Sequence, residues 1–173
     1  MLKIFTTQLI GHLNRIQEKE EYSLEDGARL LAQAAVGDGD IYLYGAGELE
    51  AILIEAIKSS EPFPHAKKLI DPSEVRAEDR VLLFSHHSND EKAIELAKQL
   101  SKNGIQIVGV SAALQSEEQG LADICDVHID SKLKNGLIPH EDGSRYGFPA
   151  IMTSLYVYYA LHLTINEILN EYE

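Results

Sequence analysis

Two histidines stand side by side in Ser85-His86-His87-Ser88-Asn89-Asp90. A neutral imidazole exchanges protons near neutral pH, so His87 is a candidate acid or base. Ser85, His86, Ser88, Asn89 and Asp90 offer hydroxyls, amides and polar side chains that could hold a phosphate or a sugar hydroxyl. Ser88, Asn89 or Asp90 could equally be the cap of a following helix. A second cluster is Gly45-Ala46-Gly47-Glu48. Its glycines allow a sharp turn and a close backbone approach to a ligand, and Glu48 adds a carboxylate. The same turn would also serve a strand-to-helix connection with nothing bound. A third group, His140, Glu141, Asp142, Ser144 and Arg145, lies in one long polar segment. Arg145 is the cation expected to hold an anion there. His162 sits in a strongly apolar stretch, where core packing competes with catalysis as its role. Adjacent histidines can bind zinc, but no H-x-x-x-H spacing and no thiolate partner accompanies them, so no metal is expected. Glu50 stands where the third glycine of a dinucleotide fingerprint would fall, so no cofactor is expected.

The elements that must position these groups follow from hydrophobic spacing. Leu2, Phe5, Leu9, Leu13 and Ile16 form one helical stripe, ended by the charged run Gln17–Glu21. Ser23 with Asp26 reads as a capping box opening a helix over Leu24–Val36. Apolar runs at Ile41–Tyr44, Lys68–Ile70, Arg80–Phe84, Ile105–Val110 and Cys125–Ile129 read as strands. A helix with Leu49, Ile52, Leu53, Ala56 and Ile57 follows the first. Another, with Ala93, Ile94, Ala97 and Leu100 inward, follows the third and stops at Asn103-Gly104. A long connection, Ser131–Phe148, precedes a helix from about Pro149 to Tyr172. Strands alternating with helices predict an α/β fold, a three-layer αβα sandwich on a five-stranded parallel sheet. In such sheets ligands bind outside the carboxyl ends of the strands. That rule selects Gly45–Glu48, Ser85–Asp90, Ser111 and the loop after Ile129. The expected organisation is a single domain over 1–173: a helical lead-in at 1–37, an alternating core at 40–130, the loop at 131–148 and the helix at 149–172.

Composition narrows the partners. The 173 residues carry 15 Lys+Arg against 28 Asp+Glu, a net charge of −13. That balance argues against nucleic acid and anionic membranes, both of which need a basic face. The most apolar stretch, Ala150 to Ile165, is too short to span a bilayer. It predicts a buried helix and, through its apolar surface, a homodimer or homotetramer. One cysteine, Cys125, placed on a strand as inert packing, fits a reducing compartment, and the N-terminus lacks the features of a signal peptide. A cytoplasmic protein is expected.

The order of these parts resembles the SIS (sugar isomerase) domain over about residues 22 to 165. The resemblance rests on two leading helices, a strand ending in G-x-G, a strand ending in a serine-rich loop and a strand ending in Ser111. Val81–Ala112 is similar to the family's second phosphosugar loop with its helix and next strand, and Leu121–Asp130 to a later strand. The resemblance implies a flavodoxin-type strand order. It also implies a sugar or sugar phosphate as small-molecule partner, and aldose–ketose isomerisation through an enediol. Single-domain phosphoheptose isomerases are nearest in layout, and Ala160–His162 echoes their catalytic histidine on the C-terminal helix. On that basis Glu48 and His87 are proton-transfer candidates, with His140 or His162 assisting ring opening. Gly45, Ala46, Gly47, Ser85, His86, Ser88, Asn89, Asp90, Ser111 and Arg145 would contact the ligand. The loops depart from the pattern: His87 replaces the second serine, Ser88 the glycine and Asp90 the threonine, while Glu48 replaces a hydroxyl. A non-catalytic sensor of a sugar derivative, or an assembly module, is the alternative.

Overall fold

The computed structural model describes residues 1–116 and 118–172, so the final residue of the expected domain lies outside it. Five strands form a parallel sheet in the order β2-β1-β3-β4-β5. They are β1 (Ile41–Gly45), β2 (Ala66–Lys68), β3 (Arg80–His87), β4 (Gln106–Ala112) and β5 (Val127–Asp130). This is the flavodoxin-type order expected above, and the chain is an α/β protein as predicted.

Alternation along each strand sorts the two faces. Ile41 and Leu43, Leu82 and Phe84, and Val108 and Val110 face one core, packed by α1 (Leu2–Lys19), α2 (Glu21–Val36), α3 (Ala51–Lys58) and the long α6 (Ala150–Asn170). Val81, Leu83 and Ile107 face the other, under α4 (Glu91–Lys102) and the short α5 (Leu121–Ile124), which hydrophobic spacing did not foretell. Met152, Tyr159 and Leu163 leave an apolar stripe exposed along α6. Among the described residues no helix is long and apolar enough to cross a membrane.

Several boundaries differ from expectation for physical reasons. The second helix begins at Glu21, almost directly off α1, so Ser23 lies inside it and caps nothing. Glu20 at that junction points its carboxylate away, to the Asp130 amide and the Lys132 ammonium. β2 covers Ala66–Lys68 rather than Lys68–Ile70, because Ile41–Leu43 pair with Ala66–Lys68, and Ile70 is exposed. Cys125 ends α5 instead of starting a strand; it faces β4, its Sγ 2.6 Å from where a Cβ on Gly109 would lie. The segment 131–148 contains a hairpin, β6 (Ile138–Pro139) with β7 (Arg145–Tyr146).

The carboxyl edge of β3 departs most from the expected loop. Ser85, His86 and His87 continue the strand, in register with β4 up to His87↔Ala112. The register shifts between Phe84 and His87. Such a bulge re-aims side chains at a strand's end, and here it falls on the two histidines.

Candidate functional site

The site is built where β1 and β3 end. After Gly45 the chain turns at once into a 3-10 turn, Gly47–Glu50, that leads to α3. The turn is so tight that a Cβ on Gly45 would lie 2.4 Å from the Leu49 carbonyl oxygen. Gly47 has φ +57, the left-handed region glycine adopts freely. Above it sits the His86 ring, whose Cε1 would be 3.5 Å from a Cβ at Gly47. Ala46 is anchored by its amide to the Phe84 carbonyl at 2.9 Å.

His86 and Glu48 form a pair, Nε2 to Oε1, at 2.8 Å. A carboxylate only accepts, so His86 holds its proton on Nε2 and a neutral ring has its lone pair on Nδ1. The His86 hydrogen bond, and next Glu48's own backbone amide, hold the Glu48 carboxyl below its usual range. His87 donates from Nε2 to the Lys134 carbonyl at 3.0 Å, which fixes the same tautomer. Phe148 packs on both rings, its centroid 6.0 Å from His86 and 5.8 Å from His87. A groove of about 480 Å³, lined by Gly47, Glu48, Ala51, Ile54, Ile57 and Lys68 among others, opens beside Glu48.

The serines at this edge are inward groups. Ser85 is buried and its hydroxyl donates to the His87 carbonyl at 3.3 Å. Ser88 is buried as well and joins three segments. Its amide bonds the Ala112 carbonyl, its hydroxyl accepts from the Leu114 amide at 2.9 Å, and its carbonyl accepts from Leu121. Ser111, fully buried, shares a 2.8 Å hydrogen bond with His128 Nε2. Burial lowers the His128 pKa, with Asp130 opposing. Asn89 is exposed, and Asp90 caps α4, accepting from the Ala93 amide at 2.9 Å.

The remaining candidates lie apart from the Glu48 pair. His140 bonds Asp142 at 3.2 Å and stacks edge-on against Tyr146, both on its own hairpin. Arg145 donates to the Gly136 and Leu137 carbonyls at 2.7 and 2.8 Å, closing that hairpin. His162 is buried against Phe63 and Tyr158. It lies ~18 Å along α6 from Ala150, at 1.5 Å per residue, with a pKa lowered by burial. Within one chain, then, the structure brings Glu48, His86, Gly47 and His87 together and leaves His140 and His162 outside. Among the described residues no cluster of three or more His, Cys, Asp or Glu could hold a metal.

Sequence reasoning missed Phe148, Lys134 and the set beyond β5. There Glu20, Asp130 and Lys132 form a half-buried network, with Lys132 Nζ 3.1 Å from Asp130 and in contact with Glu20. Burial raises the Asp130 carboxyl, but the Ala113 and Lys132 amides and the Lys132 ammonium outweigh it and leave the pKa below normal. A charged residue in an otherwise apolar strand end was the available signal for Asp130; Phe148 had none.

A family model described as "Domain of unknown function (DUF2529)" matches residues 1–169. Uncharacterized protein YwjG of Bacillus subtilis (strain 168) is 54% identical over 173 residues, covering 99% of each chain. The fold recurs in an Escherichia coli CFT073 protein solved in complex with a sugar phosphate, with TM-score 0.65 and 15% identity, covering 96% of this chain and 89% of that one. It recurs in the sugar isomerase domain of an RpiR transcription factor from Sphaerobacter thermophilus, with TM-score 0.59 and 13% identity over 98% and 97%. The Vibrio vulnificus NanR protein, complexed with ManNAc-6P, gives TM-score 0.61 and 13% identity, over 99% of this chain and 62% of that one.

Proposed function

The chain belongs to the DUF2529 family and has the fold of a sugar isomerase domain, and from that premise we propose that it binds a sugar phosphate and interconverts its aldose and ketose forms. The observation that carries this reading is the His86–Glu48 pair, at 2.8 Å, standing over Gly47 at the carboxyl ends of β1 and β3. The sugar phosphates bound by two solved proteins of the same fold, from Escherichia coli and Vibrio vulnificus, support the substrate class.

In the proposed reaction His86 is the base and Glu48 orients it. Glu48, held ionised by its hydrogen bonds, is too weak a base to take a carbon-bound proton near neutrality, whereas an imidazole titrates in that range. Nδ1 of His86 removes the proton from the carbon beside the carbonyl. The electron pair forms the enediol double bond, and the carbonyl oxygen gains a proton. The imidazolium, stabilised by the Glu48 carboxylate, returns its proton to the neighbouring carbon, and the carbonyl re-forms one position along. Neither His140 nor His162 reaches this pair within one chain, so ring opening is left to the substrate or to His87.

A second reading, a non-catalytic sensor of an uncharged or amino sugar, is favoured by the carboxylates at Glu48 and Asp90, where a phosphate would meet like charge. One experiment separates the two. Purified protein is given a panel of sugar phosphates, including arabinose 5-phosphate, ManNAc-6P and sedoheptulose 7-phosphate, together with amino sugars, and both turnover and thermal stabilisation are recorded. Isomerisation that falls about a hundredfold or more in His86→Ala supports the enzyme. Stabilisation without turnover leaves a phosphosugar sensor; stabilisation by amino sugars alone leaves the sensor of an uncharged or amino sugar.

A further inference from the structure

A sugar phosphate, if it is the ligand as read above, brings a dianion that some group of this chain must receive. The starts of α4 and of the 3-10 turn are already occupied by the chain's own carboxylates. Asp90 caps Ala93, and Glu48 takes His86 and its own amide. The cations around the carboxyl edge are mostly engaged too. Lys68 pairs with Glu50, Lys132 lies between Glu20 and Asp130, and Arg145 donates to the Gly136 and Leu137 carbonyls.

Lys134 differs. It is exposed, and among the described residues its ammonium enters no ion pair or hydrogen bond. Its backbone is nevertheless held at the site, because its carbonyl accepts the His87 Nε2–H at 3.0 Å. Lys132, in the left-handed region at φ +60, turns the chain back so that the Lys134 amide meets the Lys132 carbonyl at 3.2 Å. A compact charge on a flexible four-carbon stem is thus tethered beside the histidine pair. We infer that Lys134 is the residue that recognises the phosphate of the substrate. Discrimination for phosphorylated sugars then comes from the strap after β5 rather than from either turn's start.

Binding is measured by calorimetry for arabinose 5-phosphate, ManNAc-6P and sedoheptulose 7-phosphate, for each sugar without its phosphate, and for inorganic phosphate. The variants are Lys134→Gln and Lys134→Arg, checked for an unchanged melting temperature. Lys134→Gln should lose about ten- to a hundredfold in affinity for each bound phosphorylated sugar, the strength of a hydrogen bond to a charged group. Its affinity for the unphosphorylated sugars should not change, and Lys134→Arg should restore most of the loss. Equal weakening of phosphorylated and plain sugars overturns the assignment. So does phosphosugar binding that Lys134→Gln leaves intact, an outcome in which the sugar-phosphate reading still stands. Wild-type protein that binds none of the three phosphates removes both.

Discussion

Glu48 shows how one side chain can occupy a ligand's place and still serve the site. Its carboxylate accepts from His86 and from its own amide at the start of the 3-10 turn. The His86 bond is the largest cause of its lowered pKa, so removing the imidazole should release the carboxyl. In His86→Ala the Glu48 carboxyl is expected to titrate back toward its ordinary value, followed by carboxyl-carbon NMR. The sign follows from the depressed folded value. The pair stabilises the folded protein above the ordinary carboxylate pKa, and that contribution fades as pH falls through the lowered one. Side-chain placement was only partly legible at this scale. His86, Glu48 and Gly47 follow from being polar or glycine at strand ends. Their pairing does not, because residues 38 apart in sequence meet only through the parallel register of β1 and β3. Phe148 carries no mark of its contact with both histidines, and Arg145, chosen as the lone cation of its segment, is spent on backbone carbonyls.

Among the elements, α4 is the clearest case of local sequence sufficing. Its apolar positions Ala93, Ala97 and Leu100 are buried, Asp90 caps its start and Gly104, at φ +76, follows its end. Asp90→Ala should cost about 1 kcal/mol by freeing the Ala93 amide, and Asp90→Thr should recover most of it. For a chain of this size that is a fall of roughly 2–4 °C in Tm, read by calorimetry. Ile41–Tyr44 and Ile105–Val110 are equally legible, being apolar runs buried on both faces of a parallel sheet. β3 reads short in the sequence because Ser85, His86 and His87 are polar, yet the ladder to β4 holds them extended as far as His87. The hairpin at 138–146 gives no periodic signal because its strands are two residues each. What organises it is Arg145 on the Gly136 and Leu137 carbonyls, a contact no periodicity reports.

At the scale of the molecule, the order of strands and helices was readable from alternation, while the distribution of helices over the two faces was not. Four helices pack one face and two, one of them short, the other. The thinner layer over β4 and β5 is where Cys125 sits, its sulfur against Gly109 and its thiol pushed up to about 12, first by burial and then by Asp126. A thiol so placed stays protonated at neutral pH and is slow to alkylate. The cysteine is therefore a built-in clock for excursions of this layer. Iodoacetamide should label it only when α5 lifts from the sheet, at a rate set by that opening equilibrium. Labelling as fast as for a free thiol in the folded protein would show that α5 does not cover the sulfur. Slow labelling that quickens in mild denaturant, before the far-UV signal changes, would identify the β5 edge as the first part of the molecule to come apart.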